Sequence, residues 1–137
     1  MTATGATIEI LRGDTFSQAF TDLGLLTGYT YLDFTVKLHR ETDLDSEAIL
    51  HIRKAASGLS DGLLTLYGGT VIASEGTITI DDAATGDITI ALAASSTDIM
   101  TPTALLYYDI QRIVGTTVTT LLQGICKVLP DVTRAVV

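Results

Sequence analysis

The chain has 137 residues, of which 47% are hydrophobic and 18% are charged, and its formal net charge is −8. The apolar fraction predicts a packed core and excludes an intrinsically disordered chain. Eight Lys and Arg residues against sixteen Asp and Glu residues exclude a phosphate-neutralising surface, so we expect neither nucleic acid nor a membrane as a partner. The length fits a single domain over residues 1–137.

Targeting and redox features are few. Residues 1–5 contain neither a basic start nor an apolar run, and no stretch approaches the roughly 18 apolar residues of a membrane-spanning helix. Cys126 is the only cysteine, so an intrachain disulfide is impossible. Its position in an alternating apolar run predicts a small buried hydrophobic side chain.

The first half of the chain contains four segments in which apolar and polar residues alternate. The two-residue period predicts strands over residues 6–11, 15–21, 31–39 and 48–53. We expect the last two to pair as a hairpin. In the third segment, Asp33 and Thr35 belong to the set that should face water, because strict alternation is typical of a sheet with one buried face. Residues 22–28 are predicted to form an apolar loop that closes one end of the core.

The second half contains the longest predicted hairpin. Residues 105–128 form two alternating runs around a turn at Gly115-Thr116. Further strands are predicted on both sides of two turns, over residues 63–67, 70–73, 77–81 and 87–92. We expect the last two to pair with each other. Residues 95–103 are interpreted as a crossing loop with at most one helical turn.

Short strands separated by turn signals, without a long amphipathic helix, predict an all-β fold. We favour a sandwich of about seven to nine strands over a barrel. Tyr107 or Tyr108, early in the penultimate strand, is a candidate for the tyrosine that fixes a loop at the end of immunoglobulin-type sandwiches. The alternative is an ordinary cross-strand aromatic contact.

One predicted turn holds four carboxylates at alternate positions. These are candidate calcium ligands, namely Glu41, Asp43, Asp45 and Glu47. They lack the spacing and the glycine of an EF-hand loop, so the alternative is a solvated acidic turn. His39 and His51 flank the same turn, but two ligands without a third do not make a metal site, and exposed imidazoles are the alternative.

Motifs for catalysis are absent from the sequence. It contains no Gly-x-Ser-x-Gly elbow, no glycine-rich phosphate loop and no His-Glu-x-x-His motif. We therefore predict a protein that is not an enzyme and that uses no cofactor and no small-molecule substrate. The tripeptide Arg12-Gly13-Asp14 matches a cell-adhesion motif, but Gly-Asp also suits a turn between two strands, and we interpret it as such a turn.

Seven short phrases carry a resemblance to a known group of proteins. They are Gly13-Asp14-Thr15-Phe16, Leu26-Thr27-Gly28-Tyr29-Thr30, Phe34-Thr35-Val36-Lys37, Asp45-Ser46-Glu47-Ala48, Tyr108-Asp109-Ile110-Gln111, Gln123-Gly124 and Asp131-Val132-Thr133-Arg134. In this order the chain resembles small tailed-bacteriophage proteins that are similar to the N-terminal immunoglobulin-like domain of phage baseplate upper proteins. Those proteins are the adaptors that fix receptor-binding fibres to a tail. The resemblance implies an immunoglobulin-like antiparallel β-sandwich in a virion structural protein, assembled in the host cytoplasm as a homo-oligomer with other virion proteins.

Three functions follow as expectations. A tail or baseplate adaptor should form a closed symmetric oligomer. Capsid decoration is the alternative, because baseplate adaptors continue into a coiled-coil or fibre-binding part and no such part follows Val137. A carbohydrate-binding module is the third, and it would need an exposed aromatic platform.

Partner binding is predicted at the two terminal segments, residues 3–8 and 134–137. They are apolar and could add a strand to the sheet of a neighbouring subunit. The alternative is frayed termini. The candidate contact residues are Ala3, Ile8, Arg134, Val136 and Val137.

Overall fold

A computed structural model of the chain describes residues 3–38, 48–57 and 61–130. The described part contains ten strands: β1 (Ala3–Thr4), β2 (Ile8–Leu11), β3 (Phe16–Phe20), β4 (Tyr31–Lys37), β5 (Leu50–Ala55), β6 (Gly62–Leu66), β7 (Gly76–Asp82), β8 (Asp87–Leu92), β9 (Thr103–Val114) and β10 (Thr117–Leu129). It also contains a 3-10 turn at Ala73–Glu75 and a four-residue helix, α1, at Ala94–Thr97. The prediction of at most one helical turn in the crossing loop before β9 is confirmed.

The strands form the two sheets of an immunoglobulin-like β-sandwich, as predicted. The larger sheet has the order β1-β10-β9-β4-β5-β6, with β2 also beside β10, and the smaller sheet has the order β3-β8-β7. This is the order of a variable-type immunoglobulin domain, in which two additional strands extend one sheet. Because β1 and β2 follow each other along the same side of β10, they are two halves of one edge strand. The sandwich therefore has nine strand positions among the described residues.

Strand pairing is antiparallel except at that edge. Both β1 and β2 run parallel to β10, with Ala3 opposite Leu122 and Ile8 opposite Cys126. The predicted hairpins β4–β5, β7–β8 and β9–β10 are all present. The description of the sandwich as purely antiparallel is therefore corrected at its N-terminal strand, which runs parallel to the last strand before the chain crosses to the smaller sheet at β3.

The core lies between the inner faces of the two sheets and consists mainly of Ile, Leu and Val. Three aromatic rings join β3, β4 and β9 across it. The ring centroids of Phe34 and Tyr108 lie 5.9 Å apart, and Phe20 lies 5.9 Å from Tyr108 and 6.5 Å from Phe34. In antibody domains the equivalent strands are joined by a disulfide that packs on a tryptophan. Aromatic contacts take that position here.

The strand predicted over residues 70–73 is wrong. This segment is irregular and continues into the 3-10 turn. The chain turns at Tyr67 and Gly68, which have φ values of 52° and 70°, and then crosses from β6 to β7 in the other sheet. A segment that connects two sheets cannot pair back onto the strand it has just left.

The predicted apolar loop over residues 22–28 closes the core through one side chain. Leu26 is fully buried, whereas Leu25 is 58% exposed. The backbone of the loop is held by the turn after β7, where Leu26 N–H donates to the carbonyl of Ala83 at 2.9 Å.

Candidate functional site

Most of the predicted site residues lie outside the described part of the chain. This applies to the calcium candidates Glu41, Asp43, Asp45 and Glu47, to His39, and to Arg134, Val136 and Val137. Among the described residues, no three His, Cys, Asp or Glu side chains are grouped so that they could hold a metal ion. His51 lies on the outward face of β5, with its Nε2 3.4 Å from Oδ1 of Asp33.

The N-terminal segment predicted to reach a partner pairs with its own chain. Ala3 lies in β1 beside Leu122. The prediction that Ile8 contacts a partner is corrected, because its side chain is 3% exposed and belongs to the core. Ile8 alternates with Ile10 toward the inside of the sandwich, so burial of its apolar side chain favours the intrachain position.

The break between β1 and β2 is fixed by Tyr108. Its hydroxyl donates to the carbonyl of Ala6 at 2.7 Å. The ring passes over Gly124, where a Cβ would lie 2.8 Å from the ring carbons, and a Cβ at Gly5 would overlap the hydroxyl. Two glycines therefore make room for a buried tyrosine that holds the edge strand. Like the tyrosine of a tyrosine corner, Tyr108 holds another segment through its hydroxyl. The segment it holds here is the N-terminal edge strand.

The outward face of the larger sheet carries a buried ion pair that the sequence analysis placed in water. Asp33 is 4% exposed and accepts two hydrogen bonds from Arg53, at 2.7 Å from Nε and 2.9 Å from Nη2. The guanidinium carbon of Arg53 lies 4.0 Å from the ring centroid of Tyr31. Thr35 on the same face is also buried. The expectation of a water-facing set is wrong here because long side chains on β5 cover the central strand.

Burial alone would raise the pKa of Asp33, but the hydrogen bonds and charges of Arg53 and His51 outweigh it. The pKa of the carboxyl is therefore held below its usual value of 3.8. The pair is bidentate, which is the strong form of an arginine–carboxylate contact. It joins β4 to β5 and stabilises the central part of the outward face.

The Arg12-Gly13-Asp14 segment is a turn, as predicted. Gly13 has a φ of 88°, and Asp14 N–H donates to the carbonyl of Leu11 at 3.1 Å. The hydroxyl of Thr97 on α1 accepts from Gly13 N–H and donates to the carbonyl of Asp14. The turn is therefore attached to α1 by side-chain hydrogen bonds.

Cys126 is confirmed as a small buried hydrophobic residue. It is fully buried on β10, and burial raises the pKa of its thiol to about 12. Thiolate is the reactive form of cysteine, so this thiol is inert near neutral pH.

One open strand edge among the described residues lies on the first part of β10. β1 pairs with β10 only at Leu122 and Gln123, which leaves residues 117–120 paired on one side by β9 alone in the described structure. In a hairpin with a two-residue turn, the two residues that flank the turn form a hydrogen-bonded pair, and here these are Val114 and Thr117. Starting with the residue after Thr117, every second residue therefore directs its N–H and C=O groups away from β9, to the open edge. These are Val118 and Thr120. Val118 is 55% exposed, and the segment contains neither a charge nor a proline.

Comparison with known proteins adds no relative, since the chain matches no family model and no curated protein. No helix in the described ranges is long and apolar enough to cross a membrane. The sequence analysis missed both the Asp33–Arg53 pair and the open edge of β10. A signal for the position of Tyr108 was present, because Gly124 falls opposite it in the long hairpin.

Proposed function

We propose that this chain is a non-enzymatic structural protein of a bacteriophage virion, a tail, baseplate or fibre-attachment adaptor that works by protein–protein assembly. The observation that carries the proposal is the open edge of β10 at residues 117–120. An exposed, uncharged strand edge offers backbone donors and acceptors to a strand from a neighbouring subunit. Natural monomeric proteins usually protect such an edge with charges, prolines or a covering segment.

The apolar residues around this edge add to the support. Val114 is 43% exposed at the end of β9, next to the turn that leads into β10. Val118 pairs with Ile113 and so projects from the opposite face of the hairpin, which leaves one exposed apolar side chain on each face near the turn. Exposed apolar residues beside free backbone groups favour association through the hydrophobic effect as well as through hydrogen bonds.

The phage resemblance is the second support. Five of its seven phrases fall within the described residues, and two of these phrases contribute Tyr108 and Gly124. The resemblance thus includes the contact that holds the N-terminal edge strand beside β10.

The direct test uses particles purified from bacteria infected with the phage that encodes the chain. Gold-labelled antibodies raised against the recombinant protein should bind at the tail when the particles are viewed by electron microscopy. Label over the head would favour capsid decoration, and particles that lack the chain would contradict a virion role. Light scattering on the purified protein should give a mass larger than a dimer at high concentration, while a monomer at every concentration would favour decoration.

A further inference from the structure

Besides the first part of β10, the strands β3, β6 and β7 each pair on one side only among the described residues. At β7 the free backbone groups can be located from the hydrogen-bond pattern. In the described structure β7 pairs only with β8. Ala93 N–H donates to the carbonyl of Glu75, so these two residues are a hydrogen-bonded pair. In an antiparallel ladder every second pair is hydrogen-bonded, so the backbone groups of Thr77 and Thr79 also bond to β8. The N–H and C=O groups of Ile78 and Ile80 therefore point away from β8, toward the open edge.

A groove of about 280 Å³ lies directly beside this edge. One wall is β7 itself around Ile78, and the opposite wall is formed by Lys54 and Asp61 of the larger sheet. Ala73 and Ser74 of the 3-10 turn close one end. At β7, free backbone groups and a cavity for side chains occur together, which is the combination that strand-adding peptide sites use.

The charge in the groove indicates what kind of side chain it would accept. The carboxylate of Asp61 accepts the N–H of Ala55, and the guanidinium of Arg53 is bound to Asp33. Lys54 forms no ion pair within the described residues, although it lines the groove. The carboxylate of Asp61 lines the same groove, but the ammonium group of Lys54 has no ion-pair partner among the described residues, so an acidic side chain placed beside Lys54 would gain an ion pair.

We propose that this groove binds an extended segment of another protein, which adds as a strand to β7 and places an acidic side chain beside Lys54. The proposal rests on the assembly function proposed above and identifies a partner surface for it. A second copy of this chain is the weaker fit at this groove, because its open β10 edge, residues 117–120, carries no acidic side chain to place beside Lys54. A strand from a different protein supplies hydrogen-bond partners for the free backbone groups of Ile78 and Ile80.

The test uses three short synthetic peptides of alternating valine and threonine. The first has glutamate at its centre, the second has lysine there, and the third repeats the glutamate peptide with N-methylated backbone amides. Binding is followed by backbone amide NMR and hydrogen exchange. We expect the glutamate peptide to slow exchange at Ile78 and Ile80 and to bind roughly threefold or more tightly than the lysine peptide. The N-methylated peptide should not bind, because it cannot supply the ladder hydrogen bonds.

Two variants locate the site. Ile80→Pro removes an N–H that points to the open edge, which edge strands tolerate, and should abolish peptide binding. Ser17→Pro is the control, because the same alternation directs the N–H of Ser17 to the free edge of β3, and no residue of β3 lines the groove. Lys54→Glu should leave the fold intact and reverse the preference, so that the lysine peptide binds more tightly.

Three results would overturn the proposal. They are exchange at Ile78 and Ile80 that no peptide slows, equal binding by the Ile80→Pro variant and its parent, and a charge preference unchanged in Lys54→Glu. If the parent protein forms concentration-dependent oligomers and the Ile80→Pro variant does not, the occupant of the groove is a second copy of this chain. That result would overturn the choice of a different protein. The virion labelling experiment is independent of these measurements. Particles that contain the chain while no peptide binds would leave the proposed function standing and remove only this inference.

Discussion

The hydroxyl of Tyr108 donates a hydrogen bond of 2.7 Å to the carbonyl oxygen of Ala6, and the two residues are 102 positions apart in the sequence. The bond spans from β9, across β10, to the gap between β1 and β2. It sets where the N-terminal edge strand is interrupted.

Replacing Tyr108 by Phe should reduce the free energy of unfolding by about 1–2 kcal/mol, because the carbonyl of Ala6 loses its partner while the ring stays in place. Urea denaturation followed by circular dichroism measures this change. Tyr29→Phe is the control, since the hydroxyl of Tyr29 forms no hydrogen bond with a described residue. An equal, negligible loss in both variants would show that the Ala6 contact contributes little.

Replacing Gly124 by Ala should destabilise the protein by about 1–3 kcal/mol, because the new methyl group would meet the Tyr108 ring carbons at 2.8 Å. The ring is enclosed by Phe20 and Phe34 and has little room to move. Gly69→Ala is the matched control, because the nearest atom to its new Cβ is 3.6 Å away. Thermal unfolding of both variants provides the comparison, and a tolerated Gly124→Ala would mean that the ring shifts freely.

Asp33 should make the stability of the protein depend on pH in the acid range. Its pKa in the folded state lies below the ordinary value of 3.8, so the unfolded chain takes up a proton first. The stabilisation by the charged form is therefore complete above pH 3.8 and is lost as the pH falls through the lowered pKa of the folded state.

Asp33→Asn should cost about 1–3 kcal/mol near neutral pH, since Arg53 loses its charged acceptor. The cost should shrink as the pH falls below 3.8. Urea titrations at a series of pH values measure it, with Asp14→Asn in the exposed turn as the control. A difference between Asp33→Asn and the parent that stays constant with pH would contradict the assigned role of the carboxylate.

The thiol of Cys126 should not react with Ellman's reagent in the folded protein near neutral pH, because it is fully buried and its pKa is raised to about 12. Addition of guanidinium chloride should release one equivalent of reactive thiol with the same midpoint as unfolding measured by circular dichroism. Rapid reaction of the native protein would mean that β10 opens locally at this position.

Val118→Lys should prevent strand addition at the open edge of β10, because a charged side chain there blocks the approach of a second strand. We expect little change in the free energy of unfolding, within about 0.5 kcal/mol, since the side chain is 55% exposed. Light scattering should show a smaller mass for this variant than for Thr85→Lys, which adds the same charge in the exposed turn after β7. Equal masses would place the association elsewhere.

The alternating segments were sufficient to predict the sandwich, since the apolar faces of residues 16–20, 32–36 and 88–92 lie in the core as expected. The exception is Leu38, which was placed on the buried face but is 46% exposed just after the end of β4. Local periodicity specifies which face of a strand is buried, and it did so correctly for the inner faces. It does not specify which strands become neighbours. The parallel pairing of β2 with β10 joins residues that are distant in the sequence. No local sequence pattern therefore predicts it.

The candidate site was less predictable for a related reason. Asp33 reads as a water-facing residue in its own strand, and its burial results from Arg53 on the neighbouring strand. The open edges of β7 and β10 likewise exist only because the strands beside them stop short or belong to the other sheet. The burial of a side chain by a neighbouring strand and the presence of an open edge depend on two strands together, so the sequence of one strand does not predict them.

The aromatic cluster of Phe20, Phe34 and Tyr108 has a consequence for handling the protein. Antibody domains close their two sheets with a covalent bond that reductants cleave, whereas this sandwich is closed by ring packing, and its one cysteine is a buried free thiol. Dithiothreitol should therefore leave its melting temperature unchanged. The fold can be displayed or fused inside reducing compartments where antibody fragments lose their structure.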